Sequence, residues 1–390
     1  MPDYLSPGVY VEKIEIGAKP IEGVSTSTVG FVGMAEKGEN DKPALITNWG
    51  QFTEKFGRYT ATQPYLAPAV YGFFANGGSR CFVVKVKDGA ADRDYVGTDG
   101  RPGSRTGLQV FKEIDGLNIV CIPGVISETV QKAIITHCEN MKDRFCILDS
   151  AENATVADVQ IHKEKVVSEK GYAALYYPWI KTPVEYLKSG KIASDYYFVP
   201  PSGYVAGIYA RSDSERGVHK APANEIVCLV SGIKLSITKG EQDILNSKGI
   251  NCIRAFPGRG IRVWGARTTA SDALWKYVHV RRLFLYLEKS IVEGTQWVVF
   301  EPSSEKLWGR VRATITEFLT RVWKDGALMG TKPEEAFLVK CDRTTMTQDD
   351  LDNGRLICVI GVAPVKPAEF VIFRIAQFTG GSAVTEERNE

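Results

Sequence analysis

The segment that most constrains this chain is its last strand-like run, Glu369 to Phe378, in "PAEFVIFRIAQFTGGSAVTEERNE". In an extended conformation Phe370, Ile372 and Phe378 fall on one face, and Val371, Phe373 and Ile375 on the other. A strand apolar on both faces calls for burial inside a sheet. It stands behind two prolines at the end of the sequence, where disorder is the ordinary expectation. A similar orphan stands at the start. "GVYVEKIEI" is strand-like, with Val9, Tyr10, Val11, Ile14 and Ile16 apolar, yet it is fenced by Pro7-Gly8 on one side and Gly17 and Pro20 on the other. Both arms want a sheet that their own neighbourhood does not supply.

The rest of the chain supplies ordinary domains. With 390 residues, 44% of them hydrophobic, it is long enough for two or three. Charged residues make up 24% and the formal net charge is +2, so neither a nucleic-acid partner nor a polybasic membrane surface is indicated. The opening "MPDYLSPGVYVEKIEIG" lacks the basic and apolar regions of a signal peptide, and no apolar run reaches transmembrane length. A soluble protein without direct membrane insertion is the expectation. The eight cysteines stand singly at 81, 121, 138, 146, 228, 252, 341 and 358, several inside apolar strands such as "RFCILD" and "RLICVIG". That pattern predicts buried free thiols in a reducing cytoplasm, with no disulfide framework and no zinc spacing.

Periodicity and turn residues divide the chain into an N-terminal arm (1–20), a small α+β unit (21–90), a central α/β unit (91–270), a C-terminal core unit (271–365) and a C-terminal arm with its tail (366–390). The polar, glycine-rich stretch 88–107 reads as a loop or boundary. Beyond it strand and helix alternate: "GLNIVCIPG", a helix opening with Ser127 as its cap, "RFCILDS", a helix stopping at Gly171, and "YAALYYPWI". This order predicts a parallel sheet. Two long helices are predicted in the C-terminal unit. "DALWKYVHVRRLFLYLEKSIVEG" carries Val280, Phe284, Leu287 and Ile291, and "SEKLWGRVRATITEFLTRVWKDGAL" carries Leu307, Val311, Ile315, Phe318 and Val322 at helical spacing. "EAFLVKCD" and "GRLICVIGVAP" read as a hairpin built on Phe337, Val339, Cys341, Leu356, Cys358 and Ile360. The fold class expected is multidomain, α/β and α+β.

Catalytic chemistry finds little support. Asp149-Ser150 closes "RFCILDS", the place where open parallel sheets hold ligands, which makes Asp149 the candidate of a metal-dependent hydrolase. No second acidic pair accompanies it, and capping of the next helix is the plainer expectation. "PGRGIRVWGA" (257–266) is neither a dinucleotide fingerprint nor a P-loop and reads as a tight turn. The four histidines (137, 162, 219 and 279) make no ligand set, and His279 with Arg281-Arg282 reads as a hydrated or interfacial helix face. No catalytic residue, metal or cofactor is assigned. Along one side of the second C-terminal helix lie Lys306, Arg310, Arg321 and Lys324, with Glu317 among them. They form either a solvated face with a Glu317–Arg321 pair or a basic stripe for an acidic protein partner.

Attention therefore returns to the arms. A strand with unpaired backbone groups is a template for another chain. If the arms flank the hairpin 336–363 of neighbouring copies, each completes an intermolecular sheet by strand addition. Half a dozen backbone hydrogen bonds at about 0.5–1.5 kcal/mol each give on the order of 3–9 kcal/mol per arm. Donor and acceptor surfaces differ, so the contact is heterologous and generates rings or helical filaments.

In this light "YLSPGVYVEKIEIGAKPIEGVSTSTVGFVG", "KAPANE" (220–225), "LNSKGINCIRAFPGRGIRVWGARTT", "YVHVRRLFLYLEKSIVEGTQWVVFEPS" and "PAEFVIFRIAQF" can be taken together. The sequence resembles contractile tail sheath proteins of myophage tails, R-type bacteriocins and extracellular contractile injection systems, over nearly its whole length. The resemblance implies six-fold rings stacked helically around an inner tube, linked by arms that survive contraction. It places the arm strands at about Val9–Ile16 and Phe370–Phe378, and the acceptor hairpin at Phe337–Cys341 with Leu356–Val362. It makes "SSEKLWGRVRATITEFLTRVWKDGAL" the tube-contacting helix, with Arg321 and Lys324 favoured over Lys306 and Arg310. The middle domain would be subtilisin-like in architecture only, since no protease triad is evident. Implied partners are copies of the chain itself, an inner tail tube protein, and baseplate and tail terminator proteins. A non-contractile filament protein and the Asp149 hydrolase are the alternatives.

Overall fold

Runs that are apolar at every position become the middle of a sheet. The computed structural model describes residues 20–183 and 196–370, and among these fourteen strands occur. In chain order they are β1 Val29–Gly33, β2 Pro43–Ile46, β3 Cys81–Lys85, β4 Ile119–Cys121, β5 Phe145–Asp149, β6 Ala173–Tyr177 and β7 Ile180–Pro183. They continue as β8 Tyr196–Val199, β9 Glu225–Ile226, β10 Gly232–Ile233, β11 Ile250–Phe256, β12 Gly260–Val263, β13 Phe337–Lys340 and β14 Val359–Val362. The arm residues Val9 to Ile16 and Val371 to Phe378 lie outside the described residues.

Nine strands form one sheet in the order β2-β3-β1-β4-β5-β6-β11-β12-β9. Its middle, from β3 to β11, is parallel, and β2, β12 and β9 add antiparallel edges. Every residue of β1, β4, β5 and β6 is buried, as expected of parallel strands covered on both faces. Helices Leu66–Ala75 and Ser202–Arg216 pack on this sheet and on each other. They approach so closely that a Cβ on Gly203 would stand 2.2 Å from the Ala69 carbonyl oxygen. A smaller sheet, β10-β7-β8, is hydrogen-bonded separately from the main one but shares its core through Ile180 and Val199.

Two sequence expectations change here. β1 pairs with both β3 and β4, so strands from 21–90 and from 91–270 share one sheet and one core. The polar stretch 88–107 carries a short helix, Asp92–Val96, and separates no second core. The cause is non-local: a strand's neighbours are set by the sheet, which local composition does not encode. Ser127 stands at the start of helix Glu128–Met141, but its hydroxyl bonds the Asp92 carboxylate and makes no cap bond.

A second core is built by helices Val278–Gly294 and Glu305–Lys324. Leu307, Val311, Ile315, Phe318 and Val322 are all buried, as their spacing predicts. Ile21, 1% exposed, inserts into the same core, so this early residue packs with the C-terminal half of the chain. The first helix starts at Val278, because Asp272 caps a separate turn, Ala273–Trp275, through the Leu274 N–H (2.8 Å).

Of the two readings of the His279 face, hydrated or interfacial, the second holds: it is the seam between the two cores. His279, Arg281 and Arg282 are buried. Arg282 pairs with Asp213 of helix Ser202–Arg216 at 2.9 and 2.5 Å and donates to the Thr26 carbonyl at 2.9 Å. Thr26 in turn donates its hydroxyl to Asp213 (2.6 Å). Arg281 donates to the Lys170 carbonyl (2.8 Å) and lies over the Trp275 ring. A buried cation stands only where a partner replaces its water, and here each has found one across the seam.

Candidate inter-subunit strand-addition site

The hairpin read from "EAFLVKCD" and "GRLICVIGVAP" forms as a separate two-stranded sheet, β13 against β14, with Phe337 opposite Val362 and Val339 opposite Ile360. Ala363 donates its N–H to the Ala336 carbonyl directly across that register (2.8 Å). Alternation from this pair makes 338/361 and 340/359 the pairs that exchange backbone bonds. The amide and carbonyl groups of Val339, Ile360 and Val362 therefore point to the two outer edges. Among the described residues neither edge is paired with another strand.

Period-two alternation decides the faces. Phe337, Val339, Ile360 and Val362 are half-buried on the C-terminal core, as are Leu356 and Cys358 ahead of β14, and Cys341 is buried. Leu338 and Val359 face outward at 51% and 47% exposure. The acceptor residues expected from sequence are thus brought together, though Leu356, Cys358 and Cys341 flank the strands instead of lying within them. Sequence reasoning missed the outward pair Leu338 and Val359, for which the alternation of "FLVK" was the available signal.

The root of the C-terminal arm is held close by. Val365 donates to the Ala327 carbonyl (3.2 Å) and Ala363 accepts from Met329 (2.8 Å). Glu369 then takes a two-pronged bond from Arg267, at 2.9 and 2.6 Å, and a third from the Tyr277 hydroxyl at 3.1 Å. Burial pushes the Glu369 carboxyl up, but the Arg267 and Tyr277 contacts outweigh it and hold the group below the usual carboxylate range. Arg267 is itself fixed through the Asn246 carbonyl (2.7 Å). Phe370 follows directly and is 74% exposed. The role of Glu369 was not legible, since its partner stands 102 residues away.

The basic stripe divides. Lys306 and Lys324 are exposed on helix Glu305–Lys324. Arg310 lies over the Trp297 ring, 4.5 Å from its centroid, and Arg321 donates to the Ile21 carbonyl. Glu317 does not pair with Arg321, whose guanidinium reaches the buried end of the Ile21 segment instead. Two of the four cations are thus engaged within the protomer.

Asp149 is a structural carboxylate. Its oxygens accept from the Ser202 N–H (2.9 Å), the Ser202 hydroxyl (2.7 Å) and the Gly124 N–H (3.1 Å). It holds the start of helix Ser202–Arg216, whereas the expected capping target was the next helix in sequence. Burial pushes its pKa up to about 6 against the lowering by those donors. No cluster of three or more metal-ligating side chains occurs among the described residues, nor does any helix there have the length and apolarity to cross a membrane. Within the 257–266 stretch, residues 257–259 make the tight turn joining β11 to β12, with Gly258 and Gly260 at φ +71° and +76°.

The family model for the phage tail sheath protein central domain matches residues 106–269, and that for the phage tail sheath C-terminal domain matches residues 270–378. This chain belongs to the phage tail sheath family. Its sheath fold is shared with the contracted helical sheath of the anti-feeding prophage, which is 32% identical, covers 95% of this chain and 99% of that one, and superposes with a TM-score of 0.78. A chain of the six-fold symmetrised anti-feeding prophage baseplate is 31% identical over 97% of this chain and all of its own, with a TM-score of 0.77. A protein of Pseudomonas aeruginosa (strain UCBPP-PA14) described as a prophage major tail sheath protein is 24% identical over 94% of this chain and 95% of its own length. Against these relatives the Asp149 hydrolase is not favoured.

Proposed function

We propose that this sheath-family chain is the subunit of a contractile tail sheath, polymerising into stacked six-fold rings around an inner tube and shortening to drive that tube through a target envelope. The observation that carries the reading is the β13–β14 hairpin, whose two edges are unpaired among the described residues, beside an arm root that carries the exposed Phe370. Strands from neighbouring copies, Val9–Ile16 and Phe370–Phe378, add to those edges. The energy of shortening is the difference in interface packing between an extended and a contracted lattice, so no nucleotide is consumed. Subunits move as rigid bodies because the Arg282–Asp213 seam joins the two cores. Lys306 and Lys324 face the tube protein, and Arg310 and Arg321 brace the helix that carries them. Baseplate and terminator proteins hold the ends, and assembly takes place in the cytoplasm before the particle is released.

Electron microscopy of the expressed protein tests this. Hollow cylinders of two lengths are expected, and discrete monomers or dimers would refute the reading. Removing 1–18 or 371–390 is expected to leave a folded protomer that forms no cylinders.

A further inference from the structure

One register step beyond the paired residues Lys340 and Val359, Cys341 stands opposite Cys358. The alternation set by the Ala336–Ala363 bond makes this a non-hydrogen-bonded pair, the kind whose Cα atoms stand about 4.5 Å apart. That separation falls inside the range a disulfide spans. Both side chains face the C-terminal core. Their surroundings differ. Cys358 is half-buried at the surface, whereas Cys341 is 1% exposed at the wall of an open cleft of about 430 Å³ shared with Trp308, Arg312 and Arg343. Two other thiols, Cys138 and Cys146, lie in the central core with both residues 0% exposed, sealed from any reagent.

We infer that Cys341 and Cys358 are a redox pair, which a low-molecular-weight disulfide such as oxidised glutathione converts into a cross-strand staple of the hairpin. The Cys358 thiolate attacks the small disulfide, forming a mixed disulfide and expelling one thiol. Cys341 then attacks the Cys358 sulfur, forming the S–S bond across the strands and expelling the second. The two protein thiols are oxidised, the small disulfide is reduced to two thiols, and the two protons end on those thiols. Arg312 favours the Cys341 thiolate in the second step, while burial raises both groups and keeps the reaction slow at neutral pH. A pair that is reduced in a reducing cell would close after release into an oxidising medium. That the staple fixes a strand acceptor rests on the function proposed above; the disulfide itself does not.

The test uses the full chain incubated with oxidised glutathione at mildly alkaline pH. Mass spectrometry is expected to find two hydrogens lost and one cross-linked peptide pair, Cys341–Cys358, reversed by dithiothreitol. C341S is expected to stop at the mixed disulfide on Cys358. Closing this loop of sixteen intervening residues is expected to slow hydrogen exchange of the 338–341 and 358–361 amides by up to roughly 100-fold. Oxidation of Cys138–Cys146 ahead of this pair, a persistent mixed disulfide in the parent chain, or no cross-link would overturn the inference. Cylinders that form without the arms would defeat the strand-addition reading while leaving the disulfide standing.

Discussion

Removing Asp213 should loosen the whole protomer, because it strands a cation at the seam between its two cores. The Asp213 and Arg282 side chains are 5% and 3% exposed, and the pair is closed by bonds of 2.9 and 2.5 Å. Burial alone would lower the Arg282 pKa, yet Asp213 raises it overall, which marks a cation dependent on its partner. Asp213→Ala leaves Arg282 with the Thr26 carbonyl and the Tyr209 ring, 4.7 Å from its centroid, and no counter-charge. Breaking one side of a buried pair costs about 3–5 kcal/mol. Replacing both, as Asp213→Leu with Arg282→Met, removes the charge along with its partner and is expected to cost clearly less than the sum of the two single changes. Urea unfolding of the dissociated protomer measures all three variants. A loss below about 1 kcal/mol for Asp213→Ala, or a double variant that is simply additive, would refute the view that the seam is held by this pair.

Other perturbations follow from the same geometry. Glu369→Gln keeps the shape but gives up the charge facing Arg267 and is expected to speed hydrogen exchange over 363–370; unchanged exchange would remove Glu369 as the root of the arm. Gly203→Ala drives a methyl into the Ala69 backbone and should lower the protomer's stability by about 1–3 kcal/mol, read as a shift in urea midpoint at constant slope. Stability should also fall in acid. Burial, with Arg144 beside it, lowers His137 to about 3, and burial lowers His279 to about 4, against unfolded values near 6.5. Their contributions are present above pH 6.5 and are lost as pH falls towards 4. Asp149 runs the other way: its folded value of about 6 lies above the unfolded 3.8, so its contribution grows as pH falls through that window. Two histidines oppose one carboxyl, and the urea midpoint is expected to decline between pH 6.5 and 4. A midpoint that rose over that window would contradict the burial of the histidines.

The sequence by itself determined the elements and the question they posed. Unbroken apolar runs such as "RFCILD" are parallel strands because only a two-faced sheet hides every residue, and Leu307 to Val322 face a core because their spacing follows the helical turn. The hairpin was legible from two short apolar runs around a polar loop, and the orphan character of the arms from what flanks them. Only the tertiary structure decided what long separation conceals. β1 chose β3 and β4 as neighbours, Arg321 turned from Glu317 to Ile21, and the charged face of helix Val278–Gly294 became a buried seam. In each case the deciding partner lies tens to hundreds of residues away. Local pattern fixes which face of an element is apolar, but the partner that satisfies a buried charge or an open strand edge is fixed by the packing of the whole chain.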